Sequence, residues 1–185
     1  MKTTTFEKIR SFKACESGWR KLLDSHNPKD HSQEISIRDI LKSNGIKDAV
    51  WALRAVDDKT NVYMFCADVA ESVLNLFENK YPDDKRPRKA IEATRKYANK
   101  EISKEELSAA NAAAYAAYAD AAAADAADAA DAAAAADAAA AAADAAAADA
   151  ADAADAAADA AAYADAYAAA ALKWSEIEKI LMKYI

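Results

Sequence analysis

Glycine is nearly missing from this chain, with two in 185 residues, beside three prolines, two cysteines and two histidines. So little glycine leaves few sites for tight hairpin turns and rules out a Gly-rich loop cradling phosphates. Cys15 and Cys66 lie far apart and belong to no CxxC or Cys/His pattern. That excludes a structural zinc motif and a secreted disulfide framework, and predicts buried free thiols in a reducing compartment. His26 and His31, near Asp24 and Asp30, fit no metal-ligand spacing and sit in a polar stretch with Pro28. A nucleophile elbow and an HExxH motif are also missing. No metal, cofactor or catalytic residue is expected, and the chain reads as a non-enzyme.

Long apolar runs are lacking too. Met1 to Arg10 is polar and charged, without the apolar stretch of a secretory signal. The alanine-rich region is broken by Asp every few residues, each costly in hydrocarbon, so no membrane span is expected. The expected location is the cytoplasm.

Positive charge is scarce in the second part of the chain. Residues 1–108 carry 21 Lys and Arg against 18 Asp and Glu, whereas residues 109–185 carry 3 against 13. Phosphate backbones would be repelled by that acidic part, so no direct nucleic-acid binding is expected there. A cationic partner is favoured.

What is present is helical. Phe6, Ile9 and Phe12, then Trp19, Leu22 and Leu23, recur at helical spacing until His26-Asn27-Pro28. Ser36 is placed to cap Ile37 to Ser43, and Asn44-Gly45 to stop it. Ala49, Val50, Leu53 and Val56 make the next stripe. Val62, Phe65, Val69, Val73, Leu76 and Phe77 make the strongest one, closed by Tyr81-Pro82. Pro87 suits the first turn of a helix with Ala90, Ile91, Thr94 and Tyr97, and Ser103 to Glu106 is a capping box. No strand-like alternation stands beside these, and the fold class is all-α.

From Ala109 to Ala171 there are 47 Ala, 11 Asp, four Tyr and Asn111, with no Gly or Pro. Alanine is the best helix former, so this tract reads as long helix. Its Asp and Tyr positions mirror about residue 141: Tyr115 and Tyr118 answer Tyr167 and Tyr163, and Asp125, Asp128 and Asp131 answer Asp159, Asp155 and Asp152. An antiparallel hairpin turning near residues 138–143 is the preferred reading. The alternative is a continuous helix pairing with the same tract of a second copy, a homo-oligomer through alanine faces. The organisation is then a helical core over 1–108, the Ala/Asp region over 109–171, and a C-terminal helix over 172–185 packing on the core. In that last segment Trp174, Ile177, Leu181 and Tyr184 form an apolar stripe.

Two groups are candidate contact residues. Asp125, Asp128, Asp131, Asp152, Asp155 and Asp159 put short carboxylates on the helix surface, suited to a basic protein partner. The same face would also keep alanine helices soluble. Arg86, Arg88 and Lys89 are candidate contacts for an anionic ligand, although Tyr81 to Arg88 reads first as a rigid connector in which Asp83 or Asp84 pairs with Arg86 or Arg88.

At this run the chain resembles a known family. Cys66-Ala67, Glu71, Phe77-Glu78, Tyr81 to Glu92 and Glu101-Ile102-Ser103 look like the immunity protein family of bacterial polymorphic toxin systems, also encountered in phage genomes. Ala14 to Trp19 and Trp51 to Arg54 resemble its upstream landmarks, and an alanine-rich stretch before a Trp-containing terminal helix is similar to its end. The density of Asp departs from the family, where mixed charges are more usual. The resemblance implies a helical inhibitor that neutralises a toxin by direct binding, and it supplies no catalytic residues. The alternative is a phage counter-defence protein that binds a host defence component or sequesters its nucleotide-like signal, with Arg86, Arg88 and Lys89 on the phosphates. An ice-binding role is disfavoured by the lack of regularly spaced Thr.

Overall fold

The computed structural model describes residues 2–124 and 174–185. It is all-α, with helices α1 (Phe6–Ser11), α2 (Glu16–His26), α3 (Ile37–Asn44), α4 (Ile46–Ala52), α5 (Thr60–Lys80), α6 (Arg86–Ala98), α7 (Lys104–Ala124) and α8 (Trp174–Leu181). A 3₁₀ turn, Leu53–Ala55, continues α4.

Local chemistry sets the helix ends. The Ser36 hydroxyl accepts from the Asp39 amide at 3.1 Å and starts α3. Gly45, at φ +97°, stops α3 and turns directly into α4, a backbone conformation that side chains with a Cβ rarely adopt. Pro87 occupies the first turn of α6, where its missing N–H costs nothing. Before α7, the Ser103 amide donates to Glu106 at 2.8 Å and the Glu106 amide to the Ser103 hydroxyl at 3.2 Å, a reciprocal capping box.

Two three-residue strands depart from the all-helical expectation. Thr3–Thr5 (β1) pairs antiparallel with Glu34–Ser36 (β2), Thr4 opposite Ile35. Three residues are too few to show alternation in sequence. Tertiary packing supplies the reason: Ile35 is buried, and the Thr4 hydroxyl donates to the Ala55 carbonyl at 2.6 Å. The pair ties the start of the chain to the first turn of α3, where the Ile37 amide donates to the Lys2 carbonyl at 3.0 Å.

The central helix α5 carries the core. Val62, Phe65, Val69, Val73 and Phe77 are all buried, packed with Phe6, Ile37, Val50 and Leu53. Burying each large side chain contributes roughly 1.5–3 kcal/mol. Ile177 and Leu181 of α8 are fully buried in the same cluster, with Trp174 packed against it. Between α6 and α7 the packing changes character. Ala90, Ala93 and Ala114 close around Leu107, so small side chains let these two helices approach.

Candidate functional site

The turn from α5 into α6 gathers charge. Asp84 sits two residues before Arg86 and grips its guanidinium, Nε to Oδ1 at 3.0 Å and Nη2 to Oδ2 at 2.6 Å. The same Nη2 reaches Asp120 of α7 at 2.7 Å. Arg88 pairs with Glu78 through both Nε, at 2.7 Å, and Nη2. Lys85 adds a contact to Glu78 at 3.2 Å. The Arg88 guanidinium, followed by Lys85, pulls the Glu78 carboxyl down to about 2. Asp84 is likewise held below the usual carboxylate range by Arg86, and Arg86 is raised in turn by Asp84 and then Asp120.

Of the three basic residues singled out in the sequence, Arg86 and Arg88 are therefore engaged by carboxylates, and Lys89 is exposed on α6. An incoming phosphate would have to displace Asp84, Asp120 and Glu78. Arg88 takes Glu78, ten residues back on α5, rather than Asp83 or Asp84.

A second cluster holds the end of the chain. Asp68 of α5 accepts from Arg95 Nη2 at 2.8 Å, from the Tyr184 hydroxyl at 2.8 Å and from Lys183 at 3.3 Å. Arg95 also reaches Glu71 at 2.6 Å. Burial pushes Asp68 up, but Arg95, Tyr184 and Lys183 outweigh it and leave the carboxyl lowered. Asn61 donates to the Tyr184 carbonyl at 3.0 Å and Arg38 to that of Ile185 at 3.0 Å.

The third feature is a cleft of about 200 Å³ where α1, α2, α3 and α4 meet. Trp19 and Leu22 of α2, Ile40 of α3 and Trp51 of α4 form its apolar wall, with Asn44 and Asp48 among them. Asn44 Nδ2 bridges the Gly18 carbonyl at 2.9 Å and Asp48 Oδ2 at 2.8 Å. Cys15 opens onto this cleft and is exposed, which corrects the expectation of two buried thiols. It precedes α2 in extended backbone, at the solvent-facing start of the helix. Cys66 is buried, and burial pushes its thiol up to about 12.

The two histidines go separate ways. His26 Nε2 is 3.0 Å from the Ser43 hydroxyl, and its ring meets Phe6 edge-on. His31 packs edge-on against Trp19 with centroids 5.3 Å apart. Asp125, Asp128, Asp131, Asp152, Asp155 and Asp159 lie outside the described residues, as does the preferred hairpin turn. Among the described residues no helix is long and apolar enough to cross a membrane.

An all-α body with matched charge clusters and a cleft among α1 to α4 fits many roles. The family described as "Imm-5 like putative immunity protein" matches residues 53–180, from the 3₁₀ turn into α8. The chain belongs to this family. Comparison with curated proteins and with solved structures found no match. The family match begins after Trp51, so the segment holding Ala14 to Trp19 precedes it.

Proposed function

We propose that this protein is a non-enzymatic, immunity-type inhibitor that neutralises a protein partner in the cytoplasm by binding it directly. Membership of the immunity protein family over residues 53–180 carries this reading. Charge supports the kind of partner. The basic residues of the α5–α6 turn are matched by carboxylates, while residues 109–185 hold 13 acidic side chains against 3 basic ones. Such an excess speeds encounter with a basic surface and favours its occlusion. The acidic contacts we assign are Asp125, Asp128, Asp131, Asp152, Asp155 and Asp159.

The preferred architecture of the Ala/Asp region is the antiparallel hairpin. Two anchors support it: α7 packs on α6, and α8 packs into the core around α5. Residues 125–173 as one straight helix would run about 74 Å at 1.5 Å per residue. A body of this size is about 37 Å across. A hairpin returns the chain to its anchor; a straight rod does not. X-ray scattering giving a compact monomer supports the hairpin, and a long rod-like particle or a dimer joined along the tract overturns it.

Affinity capture from the native host, with and without phage infection, tests the functional reading. The expected result is a co-purifying toxin whose activity this chain suppresses in a stoichiometric mixture. Retention of a host defence component instead would favour the counter-defence alternative. Retention of no protein would contradict the binding reading.

A further inference from the structure

We propose that the cleft between α2 and α4 seats one lysine or arginine side chain of the protein that this chain binds. The proposal rests on the reading of the chain as an inhibitor of a basic protein, and adds a seat that the acidic tract does not supply. The cleft precedes residue 53, where the family match begins.

An apolar cavity of about 150 Å³ is enough to hold a benzene ring. The cleft has about 200 Å³, walled by Ile9, Trp19, Leu22, Ile40 and Trp51. Such walls suit the methylene stem of a long basic side chain, which buries its carbons while its charged end seeks a polar partner.

Asp48 supplies that partner. One of its oxygens accepts from Asn44 Nδ2 at 2.8 Å, and among the described residues no cation pairs with it. Its environment differs from that of Asp68, Glu78 and Asp84, each held by an arginine. A half-buried carboxylate beside apolar walls has lost part of its hydration, and an incoming cation restores what burial removed. Lys47, the cation among the lining residues, sends its ammonium toward the Trp174 ring, 5.1 Å from the centroid. Arg10 and Arg54 lie over the rings of Trp19 and Trp51 at 5.3 and 4.2 Å.

Gly18 keeps the seat open. A Cβ at this position would come within 3.0 Å of Asp48 Oδ2 and 3.2 Å of Cys15 Sγ. Glycine inside α2 weakens the helix, and here it leaves room for the close approach of the Asp48 carboxylate and the Cys15 thiol.

The test uses the full chain and two probes of matched shape, n-butylguanidinium and the neutral n-butylurea. Binding is read from the indole N–H signals of Trp19 and Trp51, both of which line the cleft. The guanidinium is expected to shift Trp19 and Trp51 and to bind about tenfold more tightly than the urea, the margin of a charge-assisted hydrogen bond over a neutral one. Asp48→Asn keeps an acceptor for Asn44 and should reduce guanidinium binding to the level of the urea. Gly18→Ala, which narrows the same space, should weaken both probes. Equal binding of the two probes to the unaltered chain, or no indole shift, overturns the proposal without reliance on any variant.

The partner captured by the unaltered chain decides whether the seat is used. Asp48→Asn should weaken that complex several-fold. Unchanged affinity would overturn the seat while leaving the inhibitor reading intact. Failure of the unaltered chain to retain any protein would overturn that reading and this proposal together.

Discussion

At the α5–α6 turn and at the α2–α4 cleft the same chemistry, a carboxylate near aromatic and basic side chains, ends in opposite states. Glu78 and Asp84 are closed off by Arg88 and Arg86, each gripped through two nitrogens. Asp48 shares one oxygen with Asn44, and no cation of the described residues pairs with it. Matched charges on neighbouring elements consolidate a fold, because each holds its partner's helix in place. An unmatched carboxylate at the edge of an apolar cleft contributes little to folding and remains available to a ligand. The difference separates the residues that build this protein from those that meet its surroundings.

The largest effect is expected where matching is most complete. Asp68→Ala leaves the Tyr184 hydroxyl without its acceptor and Arg95 with Glu71 alone. It should cost about 2 kcal/mol, the range for hydrogen bonds to a charged group. Urea denaturation checks the loss, and hydrogen exchange should quicken first in α8. If α8 amides exchange as slowly as before, Asp68 does not hold the chain's end.

Glu78→Gln comes next, at about 1 kcal/mol for a partly exposed bidentate pair. Its signature is in pH. Glu78 titrates lower in the folded chain, at about 2, than its ordinary value of 4.5. The pair therefore contributes its full stability above the ordinary carboxyl range and loses it as pH falls from there toward 2. The Gln variant should show a shallower acid loss of stability than the parent between pH 5 and 2. Parallel acid limbs would contradict the assignment.

The smallest change in stability belongs to Asp48→Asn, about 0.5 kcal/mol, because the amide oxygen keeps an acceptor for Asn44 Nδ2. A loss as large as that of Asp68→Ala would place Asp48 among the building residues and erase the contrast.

Much of this arrangement is legible in the sequence where the cause is local. Ser36, the Ser103–Glu106 box, Pro87 and Gly45 announce helix ends because a cap or a restricted backbone acts within four residues. The α5 stripe from Val62 to Phe77 is legible because one long helix repeats the same face. Pairings made by chain reversal are not. Arg88 reaches Glu78 only once α6 folds back on α5, and Asp68 meets Tyr184 across 116 positions. The β1–β2 pair is too short to register, and its support comes from Ala55 and the buried core. The cleft takes its walls from four helices, so no stretch of sequence contains its shape. Gly18 inside an otherwise regular helix was the one local sign of a close approach there.

Binding through charge is tested most directly by the salt dependence of the partner complex. Its Kd is measured across salt concentrations for the unaltered chain and for one carrying Asp→Asn at Asp125, Asp128, Asp131, Asp152, Asp155 and Asp159. Weaker binding and a flatter salt dependence are expected for the altered chain, since fewer charges remain to be screened. Unchanged affinity with an unchanged slope would contradict it, and would leave the aspartates as the means by which alanine helices stay in solution.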